Sequence, residues 1–429
     1  MKIIINPKRD EWDSLCRRPE TDRSGLEDTV KAILQNVRLN GDFALYELEK
    51  KFDKAILGKL KVSYAEIESS HINIPENLKK SINIAKSNIE KFHRSQLINE
   101  DPVETTRGVR CWRKNVPIEK VGLYVPGGTA PLFSTVLMLA IPAKIAGCKE
   151  IILCSPPDKT GNINPLILYA ANISGVSEIY KIGGAQAIAA MAYGTESVPK
   201  TYKLFGPGNQ YVTKAKEMVQ RDGVSIDMPA GPSEVLIIAD SSADPSFLAS
   251  DLLAQAEHGP DSQVILVTDD SEIIRNVQLE TDNQLKLLPR KEIATKTLKN
   301  SLLILLDSIP ECMEFSNNYA PEHLIISTSD PQTMADKVTN AGSVFIGKYS
   351  CESAGDYASG TNHTLPTNGF ARNFSGVSVD SFIRKITYQE ISPEGLKNLG
   401  RVIEQMAEAE SLSGHKNAVT IRLKSLKND

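Results

Sequence analysis

The stretch Val121-Gly-Leu-Tyr-Val-Pro-Gly-Gly128 joins a short apolar run to a glycine-rich turn, and a second apolar run, Glu150-Ile-Ile-Leu-Cys154, follows it. Between the two runs, residues 133–147 are long enough and apolar enough for a helix. A strand, a helix and a second strand in this order predict a βαβ unit with parallel strands.

The same alternation continues along the chain. Further candidate strands lie at 178–182 and 203–205, and candidate helices lie at 164–174, 185–193 and 209–221. A second series of candidate strands follows at 234–240, 263–268, 302–306, 323–327 and 343–347. Two successive series predict an α/β protein with two parallel sheets, each covered by helices on both faces.

Both ends of the chain are predicted to be mainly helical. Residues 22–100 have a helical pattern, in which Leu78, Ile82 and Ala85 recur at the spacing of one helix face. The helical pattern returns at 392–410. We therefore expect smaller helical parts before and after the two sheets.

Length and composition exclude several classes of protein. A chain of 429 residues is too long for one ordinary core, so we expect two or more domains. Its 49 basic and 53 acidic residues are interspersed, which leaves no basic stripe for nucleic acid and favours a small-molecule substrate. With no signal peptide and no uncharged apolar stretch near the ~18 residues of a membrane span, we expect a cytoplasmic protein. The six scattered cysteines are expected to be reduced and mostly buried.

Three glycine-rich junctions follow candidate strands of the first series. They are Tyr124 to Gly128, Gly183 to Gln186 and Gly206 to Asn209, and none matches the dinucleotide fingerprint G-x-G-x-x-G. At the carboxyl ends of parallel strands, such turns let a phosphate approach the backbone and the free N–H groups of helix N-termini. The alternative is that they are ordinary βα turns, in which Asn209 serves only as an N-cap.

A polar stripe lies on the candidate helix 245–257. Asp251, Gln255 and His258 follow one another at i, i+4 and i+7, on the side away from the apolar face. We expect Gln255 and His258 to reach a common point. The alternative is a solvated helix end whose histidine interacts with the helix dipole.

Glu322 and His323 stand at the mouth of a candidate strand. A carboxylate and an imidazole are both proton-transfer groups, and such a pair could supply a general base and an activator of water. The alternative is a surface loop, because adjacent residues within a true strand point to opposite faces.

Asp356 and His415 are further candidate metal ligands. Asp356 lies in a loop flanked by glycines that also contains His363, and His415 lies near the carboxyl end, whereas His71 and His93 resemble ordinary surface residues. One glutamine, two histidines and one aspartate would suit zinc or manganese, although their spacing matches no standard zinc signature.

Taken together, these motifs closely resemble those of the histidinol dehydrogenase family, from near the amino end to the carboxyl-terminal tail. Eight segments carry the resemblance in the family's order: Gly122–Gly128, Ile182–Ala187, Gly206–Asn209, Asp227–Glu234, Gln255–Asp261, Ala320–Leu324, Gly355–His363 and His415–Ala418. No departure is visible at a position that the family uses for catalysis.

The resemblance implies a complete set of site residues. Zinc would be held by Gln255, His258 and Asp356, with His415 supplied by the partner subunit of a homodimer. NAD would contact Tyr124, Gln186 and Asn209, and Glu322 and His323 would be the catalytic pair. The substrate would contact Ser233, Gln255, His258, His323, Asp356, Glu410 and His415. A plain surface acid is the alternative for Glu410.

The resemblance also implies a domain plan of two incomplete Rossmann-like domains. Residues 1–22 would be an N-terminal arm, and 23–120 with 234–380 a first, discontinuous Rossmann-like domain. Residues 121–233 would be a second, NAD-binding domain, and 381–429 a helical segment and tail exchanged between subunits.

The implied reaction is the oxidation of L-histidinol to L-histidine through L-histidinal, which uses two NAD molecules in turn. Three alternatives stay open from the residues. They are a family relative acting on another alcohol such as a sulfonated diol, a zinc hydrolase that uses Glu322 to activate water, and a metal- or nucleotide-binding regulator.

Overall fold

The computed structural model describes residues 1–19, 25–127, 131–229 and 231–426. The expected end of the N-terminal arm at residue 22 and Gly128 of the first glycine-rich junction lie outside these ranges.

The strands are β1 (Lys2–Ile5), β2 (Val103–Thr106), β3 (Val109–Pro117), β4 (Lys120–Tyr124), β5 (Glu150–Ser155), β6 (Glu178–Lys181), β7 (Lys203–Phe205), β8 (Ser225–Ile226), β9 (Glu234–Ala239), β10 (Gln263–Thr268), β11 (Leu302–Leu305), β12 (His323–Ser327), β13 (Ser343–Ile346) and β14 (Ile383–Ile391). The helices are α1 (Trp12–Leu15), α2 (Leu26–Phe52), α3 (Tyr64–Ile72), α4 (Glu76–Arg94), α5 (Phe133–Ala146), α6 (Pro165–Ser174), α7 (Gly184–Tyr193), α8 (Gln210–Arg221), α9 (Pro245–Ala256), α10 (Ser271–Leu285), α11 (Lys291–Lys299), α12 (Ile309–Tyr319), α13 (Pro331–Ala335), α14 (Glu352–Tyr357), α15 (Pro393–Ala409) and α16 (Ser413–Ser425).

Two parallel sheets confirm the predicted α/β fold. The first has the order β6-β5-β4-β7-β8, and the second has the order β1-β11-β10-β9-β12-β13. In the second sheet β9, β10 and β12 are buried along their whole length, and in the first sheet β4 and β5 are buried from their second residue on. Helices cover both faces of these strands, which explains the continuous apolar runs in the sequence. The edge strand β1 was not predicted from the sequence, and it pairs with β11 in register Lys2↔Leu302.

The amino-terminal helices pack on the five-stranded sheet. Val30, Leu34, Val37 and Leu45 of α2 are buried in one apolar cluster with α7 and α8, and α3 and α4 pack against α6 and α5. This packing disagrees with the expected grouping of 23–120 with 234–380. Helical periodicity predicted that these helices have an apolar face, but it does not say which sheet that face covers.

Contact density divides the chain into two compact units. The first comprises Met1–Gln96 and Ile118–Phe382, and it contains both parallel sheets. The second comprises Leu97–Pro117 and Ile383–Asp429, and it is built from the antiparallel sheet β14-β3-β2 together with α15 and α16.

The second unit corrects the expectation that residues 381–429 are only helical. Residues 383–391 form β14, which pairs with β3 along nine positions, and Trp112 stacks on Tyr388 with ring centroids 5.5 Å apart. The sequence hid this strand because its central side chains are exposed on both faces, so no apolar alternation marks it.

None of the helices within the described ranges is long and apolar enough to cross a membrane. The six cysteines are free, and four of them (Cys16, Cys148, Cys154 and Cys312) are buried, as expected.

Candidate functional site

Most of the predicted proton-transfer and metal residues meet at the amino ends of two neighbouring strands of the six-stranded sheet. His323 begins β12 and Glu234 begins β9, and these strands run side by side in parallel. Gln255 lies in the last turn of α9, with His258 just beyond it. The short helix α14 begins at Glu352 and carries Asp356.

The imidazole of His323 is buried and held through one nitrogen. Its Nδ1 lies 3.1 Å from the carbonyl oxygen of Glu234, which places the proton on Nδ1. Its Nε2 has no hydrogen-bond partner and lies 3.7 Å from Oδ1 of Asp356. When the ring is neutral, this tautomer leaves a lone pair on Nε2, as a general base requires.

Glu322 is also buried, so the alternative of a surface loop is wrong. Its Oε2 accepts the backbone N–H of Glu234 at 2.8 Å and lies 3.5 Å from Nδ1 of His323. Ala320, which ends α12 with a φ of 54°, turns the chain so that Glu322 precedes β12 instead of belonging to it. The alternation of faces within a strand therefore does not separate the two side chains.

Three donor groups could hold a cation at this edge. Ligand atoms of His258, Glu352 and Asp356 lie within 4.8 Å of one another. Gln255 lies against the same group. In the amide orientation that satisfies both of its ends, its nitrogen donates to the carboxylate of Glu352 and its oxygen accepts the N–H of Glu234 at 3.1 Å.

Burial corrects one part of the polar-stripe prediction. Asp251 and Gln255 are both buried, because the helix that carries them, α9, packs against α14. Neither side chain is exposed to solvent. His258 alone of the three is exposed. The expectation that Gln255 and His258 approach a common point agrees with this geometry, because each contacts or faces the carboxylate of Glu352.

Two acidic residues of the site were not predicted. Glu352 is 1% exposed, and its Oε1 lies 3.8 Å from Nδ1 of His323. Its position four residues before Asp356 on one helix was the available signal. Glu234 binds Arg18 through two nitrogens, with Nη2 to Oε2 at 2.7 Å, and no sequence spacing indicated this pair.

Negative charge dominates the electrostatics of this cluster. Burial alone would lower the pKa of His323, but the carboxylates of Glu352, Glu322 and Asp356 outweigh it and raise that pKa well above its usual value. Burial raises the pKa of Glu352, and it raises the pKa of Asp251 to about 7. Three carboxylates around one imidazole, with an unpartnered nitrogen and amide and imidazole donors beside them, suit a bound cation.

The other predicted residues lie in several places. Ser233 is half-buried and directly precedes β9. Glu410 ends α15 and His415 lies in α16 of the second unit, and both are exposed there. His363 is half-buried, and its Nδ1 is 2.9 Å from the carbonyl oxygen of Asp356. His93 is fully buried, which corrects its description as a surface residue.

A separate cavity of about 1240 Å³ opens at the carboxyl edge of the five-stranded sheet. Tyr124, Gln186 and Asn209 all line it, so the structure brings the three predicted NAD contacts together. They come from the end of β4 and from the starts of α7 and α8. A volume of this order is large enough for a dinucleotide.

Protein groups already satisfy part of this edge. Gly183 N–H donates to Glu49 at 3.1 Å and Gly184 N–H donates to the Tyr124 hydroxyl at 3.0 Å, so the N–H groups expected to be free at this junction are occupied. Asn209 caps α8 by accepting the N–H groups of Tyr211 and Val212, which confirms the N-cap alternative alongside its place in the cavity.

At the third junction, glycine is required by close packing. Gly206 has a φ of 126°, and a Cβ atom there would lie 2.0 Å from the carbonyl oxygen of Tyr124. The junction therefore brings two strand ends closer together than any other residue would allow.

Comparison with known proteins gives matches over almost the whole chain. The family model described as histidinol dehydrogenase matches residues 16–423. A histidinol dehydrogenase of Bacteroides thetaiotaomicron is 59% identical over 427 residues, covering 100% of both chains. One from an Escherichia coli O6:H1 strain is 53% identical over 96% of this chain and 95% of its own. The crystal structure of histidinol dehydrogenase from Elizabethkingia anophelis superposes with a TM-score of 0.98 at 57% identity, covering 100% of this chain and 99% of that chain.

Proposed function

The chain belongs to the histidinol dehydrogenase family and is an oxidoreductase of histidine biosynthesis, and on that basis we propose how its residues oxidise L-histidinol through L-histidinal to L-histidine. The observation that carries the proposal is the buried pair Glu322 and His323. The Nε2 atom of His323 has no hydrogen-bond partner, and it lies beside a cluster of side chains that could bind a cation. The cavity lined by Tyr124, Gln186 and Asn209 supports NAD as the electron acceptor.

His323 is proposed as the general base of both oxidations. Its Nδ1–H is held by the carbonyl of Glu234, so Nε2 is the nitrogen that accepts the proton of the substrate hydroxyl. Bound NAD would supply the acceptor for the hydride that leaves the adjacent carbon. Since alcohol to acid is a four-electron change, two NAD molecules are needed in turn.

Glu322 is proposed to activate the water that hydrates the intermediate aldehyde. Its carboxylate is fixed by the N–H of Glu234 and lies 3.5 Å from Nδ1 of His323. The main chain of Glu234 holds both Glu322 and His323, so the two side chains are close enough to act on one bound substrate. We propose that the substrate stays bound between the two oxidations. Retention of the aldehyde also prevents its reaction with amines elsewhere.

Zinc is proposed as the resident metal. Gln255, His258 and Asp356 would hold it, with the imidazole of His415 from the partner subunit of a homodimer, and their nitrogen and oxygen donors suit this ion. When bound, zinc would supply a positive charge that orients the imidazole and amine nitrogens of histidinol and offsets the surrounding carboxylates. Ser233 and Glu410 are proposed as further substrate contacts, Glu410 as the carboxylate that reads the substrate's charged end.

Sharing of the site between subunits can be tested by complementation. Asp356→Asn and His415→Ala should each be inactive as purified homodimers. When the two variants are co-expressed and mix at random, about a quarter of wild-type activity should return, because each hybrid dimer keeps one intact site. A mixture that stays inactive while hybrid dimers are shown to form contradicts the shared site.

The overall function is tested by counting products. With zinc-loaded protein, limiting histidinol and excess NAD, we expect two NADH for each histidine formed and no free aldehyde trapped by an added amine. Absence of NADH would contradict the proposal, and turnover of a sulfonated diol in preference to histidinol would favour a family relative of different specificity. The other two alternatives, a zinc hydrolase and a metal- or nucleotide-binding regulator, have no support from the family match. A cytoplasmic location stays a proposal, in keeping with free cysteines.

A further inference from the structure

The proposed cofactor cavity is acidic. Asp53, Glu66 and Asp158 line it, and no lysine or arginine does so among the described residues. A dinucleotide carries two negative charges on its pyrophosphate, and NADP carries a further phosphate on a ribose 2′ oxygen. One of these three carboxylates could therefore accept a hydrogen bond from a ribose hydroxyl of the dinucleotide.

Two of the three carboxylates are already engaged. Glu66 forms an ion pair of 2.5 Å with Lys181, which largely neutralises it. Asp158 binds its own loop, accepting the N–H of Thr160 at 2.8 Å and that of Asn162 at 3.1 Å. These bonds all go to Oδ1 of Asp158, and its side chain is exposed, so solvent screens its charge more than that of the half-buried Asp53.

Asp53 lies at the junction where α7 begins. It follows the last residue of α2, is half-buried, and has its Oδ2 3.1 Å from the position that a Cβ atom would occupy on Gly183. Among the residues that the structure describes, its carboxylate has one hydrogen-bonding neighbour, Glu49. Its remaining oxygen lone pairs are available to a ligand in the cavity.

Glu49 explains how a carboxylate can persist at this place. It is fully buried, and its Oε1 accepts Gly183 N–H and the side-chain amide of Gln186 at 2.9 Å. Its Oε2 has no donor among the described residues. Burial, with the neighbouring carboxyl of Asp53, raises the pKa of Glu49 to about 8, so at neutral pH Glu49 keeps a proton that it can donate to Asp53. The negative charge of the pair then sits on Asp53, at the cavity wall.

We propose that Asp53, held by Glu49, makes this cavity select a dinucleotide without a 2′-phosphate, by accepting a ribose hydroxyl and repelling a phosphate in its place. The inference rests on the proposed use of NAD. In common dinucleotide-binding folds, an acidic residue on the second strand has this task. Here the carboxylate comes from the end of a helix that precedes the sheet, which fits the absence of the usual glycine fingerprint.

The test is a comparison of dissociation constants for NAD and NADP, measured by titration calorimetry on the full-length dimer at one ionic strength. We expect wild type to prefer NAD by about 100-fold, and Asp53→Asn to reduce that preference by about 10-fold or more, through tighter binding of NADP. An unchanged preference in a variant that keeps its melting temperature would overturn the role of Asp53.

Matched variants separate this role from a general effect of charge. Glu66→Gln and Asp158→Asn remove a carboxylate from the same cavity and should leave the preference within about twofold of wild type, because Lys181 pairs with Glu66 and solvent screens the exposed Asp158. Glu49→Gln should also retain it, since an amide N–H replaces the O–H donor. Equal loss in all carboxylate variants would overturn the assignment to Asp53. Wild-type protein that binds neither dinucleotide would instead overturn the proposed function itself.

Discussion

The two edges that form the candidate sites are opposite ends of parallel strands. The proposed cofactor cavity lies at the carboxyl edge of one sheet, where α7 and α8 begin, and we call this the cofactor edge. The His323 cluster, the proposed metal site, lies at the amino edge of the other sheet, beside the end of α9, and we call this the metal edge. Helix N-termini carry partial positive charge and suit anions, and C-termini carry partial negative charge and suit cations. The starts of α7 and α8 thus favour an anion at one edge, and the end of α9 favours a cation at the other, where the short helix α14 also begins.

The edges also differ in how far their polar groups are satisfied. At the cofactor edge, Glu49, Tyr124 and Asn209 already accept the N–H groups of the adjoining turns. At the metal edge, His323 keeps an unpartnered nitrogen among three carboxylates. The cofactor edge, whose N–H groups have partners, contributes to the stability of the protein without a ligand. The metal edge, where three carboxylates lie close together, should be stabilised most by binding a cation.

The largest effect should come from the imidazole. His323→Asn removes the proposed base from both oxidations, so kcat for histidinol and for histidinal should each fall roughly 1000-fold. Glu322→Gln should slow histidinal oxidation roughly 100-fold and leave alcohol oxidation within a few-fold of wild type.

Stopped-flow recording of NADH from each substrate separates these cases. If Glu322→Gln slows alcohol oxidation alone, the division of labour between the two residues is wrong. If the His323→Asn variant retains most of its activity, the reaction does not take place at the His323 cluster.

Removal of the metal should affect the two edges unequally. Dialysis against a chelator should lower turnover by about 100-fold or more, because several kcal/mol of substrate orientation and charge compensation are lost. Affinity for NAD, measured by calorimetry in the absence of histidinol, should change less than threefold. A comparable loss at both edges would mean that the cavity depends on the metal for its shape. Readdition of zinc should restore activity.

Glu352→Gln should lower the affinity for zinc and raise the stability of the metal-free protein. Loss of this carboxylate should weaken zinc binding by about 10- to 100-fold, as measured by competition with a chromophoric chelator, because the amide of Gln255 loses its charged partner. In metal-free protein the same variant should melt a few degrees higher, since a buried like charge is removed.

Asp251→Asn is the matched control for this variant. Burial raises the pKa of Asp251 to about 7, above its unfolded value near 3.8, so stability is full below the unfolded value and is lost as pH rises through the folded one. The variant should therefore also melt higher at pH 7.5, with zinc affinity nearly unchanged. Equal weakening of zinc binding in both variants would reduce the role of Glu352 to a general effect of charge.

The smallest effect is expected at the cofactor edge. Asn209→Ala should cost about 1 kcal/mol of stability by removing an N-cap, and it should raise KM for NAD several-fold. Asp270→Ala removes the N-cap of α10, which is outside the cavity, and should cost similar stability with KM unchanged. Thermal melts and initial rates of both variants check this, and an equal KM in the two would assign Asn209 a purely structural role.

Sequence patterns predicted the parts of this protein that depend on local order. Most strands of the two parallel sheets begin and end within one residue of their predicted limits, since apolar runs bounded by glycine mark buried strands. Gln255, His258, Glu322, His323 and Asp356 were all predicted as candidate site residues, and they lie at one edge.

What the sequence missed depends on tertiary contacts. The pairing of Arg18 with Glu234 spans more than two hundred residues, and no periodicity indicates it. Two further features were missed for the same reason: the packing of α2 on the five-stranded sheet and the pairing of the exposed strand β14. The sequence of a helix face or a strand edge does not specify which element it packs against. The role of His415 depends on a second subunit, and the roles of Glu410 and His415 both stay proposals.

The proposed catalytic pair, Glu322 and His323, is held in place by main-chain atoms. Residue 234 grips Glu322 through its own N–H and His323 through its own carbonyl, and every amino acid except proline would offer the same two atoms. Exchange of the side chain at 234 therefore cannot change the spacing of the pair directly, whereas a one-residue insertion in β9 or β12 would break it. Transfer of this proposed acid–base pair to another protein would require the same alignment of two strands and the same turn at Ala320, before any further side chain is copied.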